Sequence, residues 1–569
     1  MRLDKLSFIH RHLAAQTGWQ RNATAFFAGV ASILALAPFH AAPVLFLTLP
    51  VLIVLANPRP HSCSGRHDKG ISGLAICIRP ALSWENAKRG FAIGWWFGFG
   101  LHLAGLYWIG GAFLVQHEVF AWLLPFAITL MPACLALFHG AAISLLACVS
   151  GSAAARVLML ALALSATEWL RGHILTGFPW NILGYALAHP LVFLQTAGVT
   201  GIYGMTLIAL CVFCMPLPAA FEALQRKKPS VAMIPILLFT IAPLAAMGIY
   251  GAYSLTRPST GKVANVKLRL VQPSINQRDK FDPSKRAEIF KRHLELSRRG
   301  LSQNYKEGND ITHIIWPEAA LAFLALRSPE VLTLIADAFP ENVTLVAGTL
   351  RLEDEMPIQG RQYKVFNSAM VVGSDGSVID VYDKIHLVPF GEYLPLQTWL
   401  EAIGLEQLTR VRGGFAVGST DQSLTRIPGI QDARILICYE VIFPGEVTNG
   451  LKRPSVLINL TNDAWYGQST GPFQHFHQSI VRAVEQGIPM VRVGNNGISG
   501  IIDGRGRIIS KLSLDAVGVI DSHLPKPIPP TFYSRYGDRT FAIMWFFLLG
   551  ALYYQIKRSE ASETPNILT

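Results

Sequence analysis

The sequence predicts a multi-pass α-helical membrane domain of eight spans, with a layered α/β domain inserted before the last of them. Three observations predict it. The chain is 51% hydrophobic and only 15% charged, a balance outside the range of ordinary water-soluble enzymes. Apolar stretches near the roughly 20 residues that a membrane-crossing helix needs recur along it. From about 260 to 530 these give way to mixed, charged sequence in which short apolar runs alternate with amphipathic helical patterns.

The apolar stretches fall at about 23–40, 42–57, 90–112, 119–147, 153–170, 192–220 and 231–254, with an eighth at about 539–556. The expected division is 1–258 for the membrane domain, 259–530 for the inserted domain and 531–569 for the last span and tail. About twenty mostly polar residues precede the first apolar run and another run follows at once, so no cleavable signal peptide is expected. Positive charge in short loops sets the orientation, because cytoplasmic loops are enriched in lysine and arginine. Arg2, Lys5, Arg11 and Arg21, then Arg59, Arg66, Lys69, Arg79, Lys88 and Arg89, then Arg226, Lys227 and Lys228, and finally Lys557 and Arg558 share one side of an eight-span arrangement. The intervening loops near 40–41, 115–118 and 171–190 carry almost none. Both termini are therefore expected in the cytoplasm and the inserted domain outside it. The net charge of +12 follows at least in part from this topology and is not a nucleic-acid signal.

Within the inserted domain, strands are expected at Val266–Val271, His313–Trp316, Thr344–Leu350, Ser368–Val372, Val378–Tyr382, Arg434–Cys438, Val456–Thr461, Met490–Val493 and Ser499–Ile502. Helices are expected at Pro283–Arg299, Pro329–Ala338 and Thr470–Gln486. Buried strands between helices make a layered sheet, whose crevice lies beyond the carboxyl ends of its strands. Glu318, Lys384 and Cys438 each stand at or just after such an end.

Of seven cysteines, Cys63, Cys77, Cys134, Cys148, Cys211 and Cys214 fall in the membrane portion or its loops. Cys211 and Cys214 have redox spacing, but a continuous apolar span is a setting for packing. Cys438 is the only cysteine between Tyr253 and Gly537, which makes it a candidate nucleophile with no disulfide partner in its own domain. A thiol is mostly protonated at neutral pH and needs a base or a cation to react. Glu318 suits the base; Lys384 and the Tyr439 backbone N–H suit stabilisation of an oxyanion. Glu392 and Glu440 are acids placed to orient them. Each residue also admits a plain role: Glu318 a loop acid, Lys384 half of a surface ion pair, Cys438 a small buried hydrophobe, Glu440 a helix cap, Trp465 and Tyr466 core aromatics. His386, His475 and His477 form no compact ligand set, so no metal is expected.

Taken in order, Trp316-Pro317-Glu318, the run Asp383-Lys384-Ile385-His386-Leu387-Val388-Pro389-Phe390-Gly391-Glu392, Cys438-Tyr439-Glu440 and Asn462-Asp463-Ala464-Trp465-Tyr466-Gly467 resemble the nitrilase fold with its Glu-Lys-Cys triad. With eight spans around them, and with Gly177-Phe178-Pro179-Trp180 and Thr531 to Asp538, they resemble the bacterial apolipoprotein N-acyltransferases along nearly the whole chain. The resemblance implies an αββα sandwich, with Glu318 as general base, Lys384 as oxyanion stabiliser, Cys438 as nucleophile, and Glu392, Glu440 and Tyr439 in support. It assigns Phe281, Asn367, Tyr393, Trp465 and Trp180 to substrate binding. It implies transfer of an acyl chain from a membrane phospholipid, through a cysteine thioester, to the amine of a diacylglyceryl-cysteine apolipoprotein, in the bacterial inner membrane and without cofactor or metal.

Two departures stand out. Gln277-Arg278-Asp279-Lys280-Phe281 ends in Phe where the family often has Trp, and the loop 57–85 is long. The segment Tyr393 to Phe415, with Leu394, Leu396, Trp399, Leu400, Ile403 and Leu405, fits a mobile lid and fits equally an amphipathic helix packed on the domain. Two other function classes share parts of the pattern: a membrane-tethered amidase using water, and a membrane scaffold or transporter. Transporters place ionisable residues at mid-membrane, whereas Glu118 and Glu168 stand near span ends.

Overall fold

The computed structural model describes residues 3–58, 84–228, 230–258, 261–299, 311–358, 361–402, 407–409, 414–422, 424–448 and 452–563. Most of the long loop 57–85, with Cys63, Cys77, Arg59, Arg66, Lys69 and Arg79, lies outside the described residues, as do Ile403 and Leu405 of the expected lid. The chain divides into two compact units, one of Met1–Tyr107, Phe126–Tyr253 and Tyr536–Thr569, the other of Trp108–Pro125 and Ser254–Arg535.

The first unit is helical. Among the described residues, six helical runs are long and apolar enough to cross a membrane: Trp84–Val115, His117–Leu146, Ala153–His173, Ala197–Arg226, Val231–Thr256 and Arg539–Lys557. The chain is thus a multi-pass membrane protein. The first two of the eight expected stretches are the exceptions. The helix Gly18–Ser32 passes into the tight turn Ile33–Ala35, and the next apolar helix, Ala42–Leu55, is shorter than the six. Proline accounts for the break, since Pro38 disfavours helix at the residue before it and Pro43 is accommodated in a first turn. Helices here approach through glycine. A Cβ on Gly94 would strike the His139 carbonyl oxygen, and one on Gly29 the Phe97 carbonyl. Small residues of this kind let membrane helices pack backbone to backbone.

Among the described residues the second unit holds twelve strands: β1 (Lys262–Gln272), β2 (His313–Ile315), β3 (Thr344–Ile358), β4 (Arg361–Val372), β5 (Val378–Asp383), β6 (Thr425–Ile427), β7 (Ile430–Ile437), β8 (Val456–Thr461), β9 (Met490–Gly494), β10 (Ser499–Ile502), β11 (Ile508–Leu512) and β12 (Gly518–Pro525). They form two six-stranded sheets, in the orders β12-β1-β2-β3-β4-β5 and β11-β10-β9-β8-β7-β6. Each has a parallel centre, β1-β2-β3 and β7-β8-β9, with antiparallel strands outside it. Inward-facing residues of both sheets, such as Leu268, Leu270, Ile315 and Val346 from one and Ile435, Ile437, Ile458 and Val491 from the other, share one apolar core. Their sequence neighbours Ile314, Leu345 and Met370 face out and pack with Leu296, Ile335 and Phe339, which belong to or follow the helices Arg286–Arg298 and Pro329–Ala338. That is the period-2 alternation of a strand buried on both faces. The nitrilase-like α/β architecture expected from the sequence is the one observed.

Candidate active site

Three chain reversals bring the site together. β2 ends at Ile315, and the main chain turns through Glu318 with Ala319 at φ 44°. Gly348 of β3 makes the turn possible, since a Cβ there would lie 2.7 Å from the Glu318 Cα. β5 ends at Asp383 and delivers Lys384. β7 ends at Ile437, and Cys438 follows in the left-handed region at φ 51°, which few non-glycine residues adopt.

Glu318, Lys384 and Cys438 are all buried, at 7%, 1% and 5% exposure. Lys384 Nζ donates to both oxygens of Glu392, at 3.0 Å and 2.9 Å, and lies 3.8 Å from Glu318 Oε1. Asn367 Nδ2 bridges the two carboxylates, donating to Glu318 Oε1 at 2.8 Å and Glu392 Oε1 at 2.9 Å. The Val388 N–H closes the Glu392 shell at 2.8 Å. Glu318 Oε2 has no hydrogen-bond partner among the described residues. One oxygen of this carboxylate is therefore held and the other is open to a proton.

Glu440 is saturated instead. It accepts from Tyr382 Oη at 2.9 Å and 3.1 Å, from the backbone N–H of Ile385 at 2.8 Å and His386 at 3.1 Å, and from Ile437 N–H at 2.6 Å. It thereby ties the segment carrying Lys384 to the turn carrying Cys438. The Cys438 carbonyl is held in turn by Asn459 Nδ2 at 3.3 Å and by His475 Nε2 at 3.2 Å. His475 Nδ1 stands 2.9 Å from Asp463 Oδ1, whose other oxygen accepts from Arg492 at 2.7 Å. Burial alone would raise the Asp463 carboxyl, but Arg492 and His475 hold it well below the usual carboxylate range.

The electrostatics favour protonated sulfur at rest. Burial, then the Glu318 charge, push the Cys438 thiol up to about 12, against the pull of Lys384. Burial also raises Glu318, with Lys384 opposing. Lys384 is stabilised as an ammonium, since Glu392, Glu318 and Cys438 together outweigh its desolvation. A second lysine belongs to this cluster. Lys280 is 3% exposed, its Nζ donates 2.7 Å to the Glu318 carbonyl oxygen, and burial lowers it to about 8.

Of the residues assigned to substrate binding, Asn367 stands inside the cluster. Phe281 adjoins Lys280 and is 36% exposed. Tyr393 is half-buried, and its carbonyl accepts from Phe390 N–H at 2.7 Å. Trp465 is half-buried and follows Asp463. Trp180 belongs to the helical unit, where it is buried and its carbonyl accepts from Arg171 at 2.9 Å. Tyr439 packs edge-on to His386 and Phe443. A cavity of about 360 Å³, lined by Gly111, Leu114, Gln277, Arg278, Ala464 and Asp515 among others, opens beside the Asp463–Tyr466 turn. None of Glu318, Lys384 and Cys438 lines it. Among the described residues no group of His, Cys, Asp and Glu could hold a metal.

Lys280 and the Asp463-His475-Arg492 network stand next to the three residues and were given no role in the site from the sequence. The signal for Lys280 was faint: a lysine in a short polar segment reads as solvated, and only its fixed place beside Phe281 set it apart.

Residues 267–526 match the carbon-nitrogen hydrolase family, and residues 28–215 match the apolipoprotein N-acyltransferase N-terminal domain. The apolipoprotein N-acyltransferase of Bradyrhizobium diazoefficiens is 43% identical over 552 residues, covering 96% of this chain and 97% of that one. The apolipoprotein N-acyltransferase of Rhodopseudomonas palustris is 41% identical over 539 residues, covering 95% and 96%. An amidase structure from Nesterenkonia sp. covers 50% of this chain and 98% of its own at 17% identity, with a TM-score of 0.33.

Proposed function

Because this chain belongs to the apolipoprotein N-acyltransferase family, we propose that it transfers an acyl chain from a membrane phospholipid to the terminal amine of a diacylglyceryl-cysteine lipoprotein. The observation that carries the reading is the buried convergence of Glu318, Lys384 and Cys438 beyond three strand ends, in a chain whose remainder is multi-pass membrane protein.

The chemistry has two halves. Glu318 takes the proton from Cys438 Sγ as the sulfur attacks the ester carbonyl. The negative charge that forms on the carbonyl oxygen is met by Lys384 Nζ and the Tyr439 N–H; one such donor is worth roughly 3 kcal/mol of barrier. Collapse breaks the carbon–oxygen ester bond, and the departing lysophospholipid oxygen takes the proton from Glu318, leaving a thioester. The lipoprotein amine then attacks that thioester and gives a proton to Glu318. Collapse breaks the carbon–sulfur bond, the sulfur recovers the proton, and the product leaves as an amide. Each half needs a carbonyl anchored in lipid, so a membrane-held site supplies proximity worth several kcal/mol.

The same reading places eight spans in the bacterial inner membrane, both termini in the cytoplasm and the α/β unit on the opposite face, as the distribution of lysine and arginine favours. Asn367 and Glu392 hold Glu318 and Lys384 in place, and Phe281, Tyr393, Trp465 and Trp180 are the residues assigned to substrate binding.

The test is a chase. Purified full-length protein in lipid discs is loaded with isotopically labelled acyl phospholipid and then given a diacylglyceryl-cysteine peptide. The label is expected to move into the peptide amide, and to stay on the enzyme when the peptide amine is acetylated. Release of the label as free fatty acid at the same rate with and without peptide would instead identify a water-using amidase.

A further inference from the structure

The reaction as written leaves Lys280 without a task. A buried ammonium is expensive to desolvate, and a methionine or leucine would fill the same space at lower cost. Yet the fold works to deliver it. Lys280 ends the short turn Gln277–Lys280, which is anchored from the other sheet: Asn462 Nδ2 donates to Gln277 Oε1 at 2.6 Å, Asn495 Nδ2 to the Ile275 carbonyl at 2.8 Å, and Ile275 N–H to Asn495 Oδ1 at 3.0 Å. Asn462 follows β8 and Asn495 follows β9, so this lysine is set by the ends of two strands of the sheet whose β7 leads into Cys438.

Its charge is also differently employed from that of Lys384. Lys384 spends much of its field on Glu392, with which it is paired at 2.9 Å. The hydrogen bond of Lys280 goes to a neutral carbonyl, that of Glu318. The ionisable groups that face it are the Glu318 carboxylate after β2, the Cys438 sulfur after β7 and the His293 imidazole from the helix Arg286–Arg298. Lys384 and Glu392 act on the same Glu318 carboxylate.

We propose that Lys280 is a positioning residue of the acyl transfer: its ammonium pins the main chain of Glu318 and supplies a second positive charge that favours the Glu318 carboxylate before proton transfer and the Cys438 thiolate as attack begins. The inference rests on the proposed acyl-enzyme reaction. Its sign with pH follows from the lowered lysine. The charge is present at neutral pH and leaves as pH rises through about 8, so the rate falls there. Without the charge, Glu318 is easier to protonate, and the acid limb moves to higher pH.

The experiment measures the rate of Cys438 acylation by labelled phospholipid against pH, with full-length wild type, Lys280→Met and Lys280→Arg in lipid discs. The wild type is expected to show a fall near pH 8. Lys280→Met is expected to acylate about 30-fold or more slowly at neutral pH, with little change in KM for phospholipid. It should also have a displaced acid limb and no fall near pH 8. Lys280→Arg keeps a charge, and its alkaline fall is expected more than about one unit higher. If Lys280→Met fails to fold, the displacement in Lys280→Arg still decides. Acylation of Lys280→Met within about threefold of wild type, or three profiles of one shape, would overturn the proposal. Absence of acylation in wild type would instead overturn the underlying reaction.

Discussion

A thiol held near a pKa of 12 by burial and by a neighbouring carboxylate is inert until its proton has somewhere to go. Glu318 Oε2, buried and without a hydrogen-bond partner among the described residues, is the acceptor we propose for it. Glu318→Gln removes the proposed base while keeping the shape and the Asn367 contact, and is expected to slow Cys438 acylation by about 10²–10⁴-fold, read from the rate at which labelled acyl accumulates. Lys384→Met is expected to cost about 10²–10³-fold. Glu440→Gln tests a different job. An amide cannot accept from all of the N–H and O–H donors that converge on Glu440, so the variant is expected to lose about 2–3 kcal/mol of stability. Acylation should fall with it, because Lys384 and Cys438 lose their common tie. An unchanged thermal midpoint would contradict that role.

At the scale of elements, the site depends on backbone approaches that side chains would block. Gly348→Ala places a methyl 2.7 Å from the Glu318 Cα, so the Glu318 turn must shift, and acylation is expected to fall by about 10²-fold even where the fold survives. In the helical unit Gly94→Leu drives a side chain into the His139 carbonyl, at an expected cost of about 1–3 kcal/mol, measured as a lower melting midpoint in detergent. Elements whose burial is written in their own composition were legible beforehand. β8 and β9 are mostly apolar, broken by Asn459 in one and Arg492 in the other, and Glu318, Lys384 and Cys438 announce themselves as polar residues at the ends of short apolar runs. Other elements were not. β12 carries Asp521, Ser522 and His523 and becomes a strand by pairing with β1, where Arg269 meets Asp521 at 2.6 Å. The strand expected at Thr344–Leu350 stops short of the charged Glu353 and Asp354, yet the hairpin with β4 runs on to Ile358. Lys280 could not be read as buried, since the turn that carries it is anchored by Asn462 and Asn495, far away in sequence.

For the whole molecule, the question is why a carbonyl chemist's site is joined to a helical membrane unit. In the proposed reaction both substrates live in lipid, and the distribution of lysine and arginine favours the α/β unit on the extracytoplasmic face. With an impermeant maleimide on intact cells, Thr420→Cys in the α/β unit is expected to label, whereas Lys228→Cys is expected to label only after permeabilisation; the reverse pattern would invert the topology. The central claim is that Cys438 carries the acyl chain between the two lipids. The measurement that meets it most directly is the mass of the Cys438 peptide after full-length protein is incubated with labelled phospholipid and no acceptor. The account predicts that this peptide gains one acyl group in the wild type and none in Cys438→Ala. An unmodified peptide in active wild type, or an acyl group retained by the Cys438→Ala protein, would contradict it.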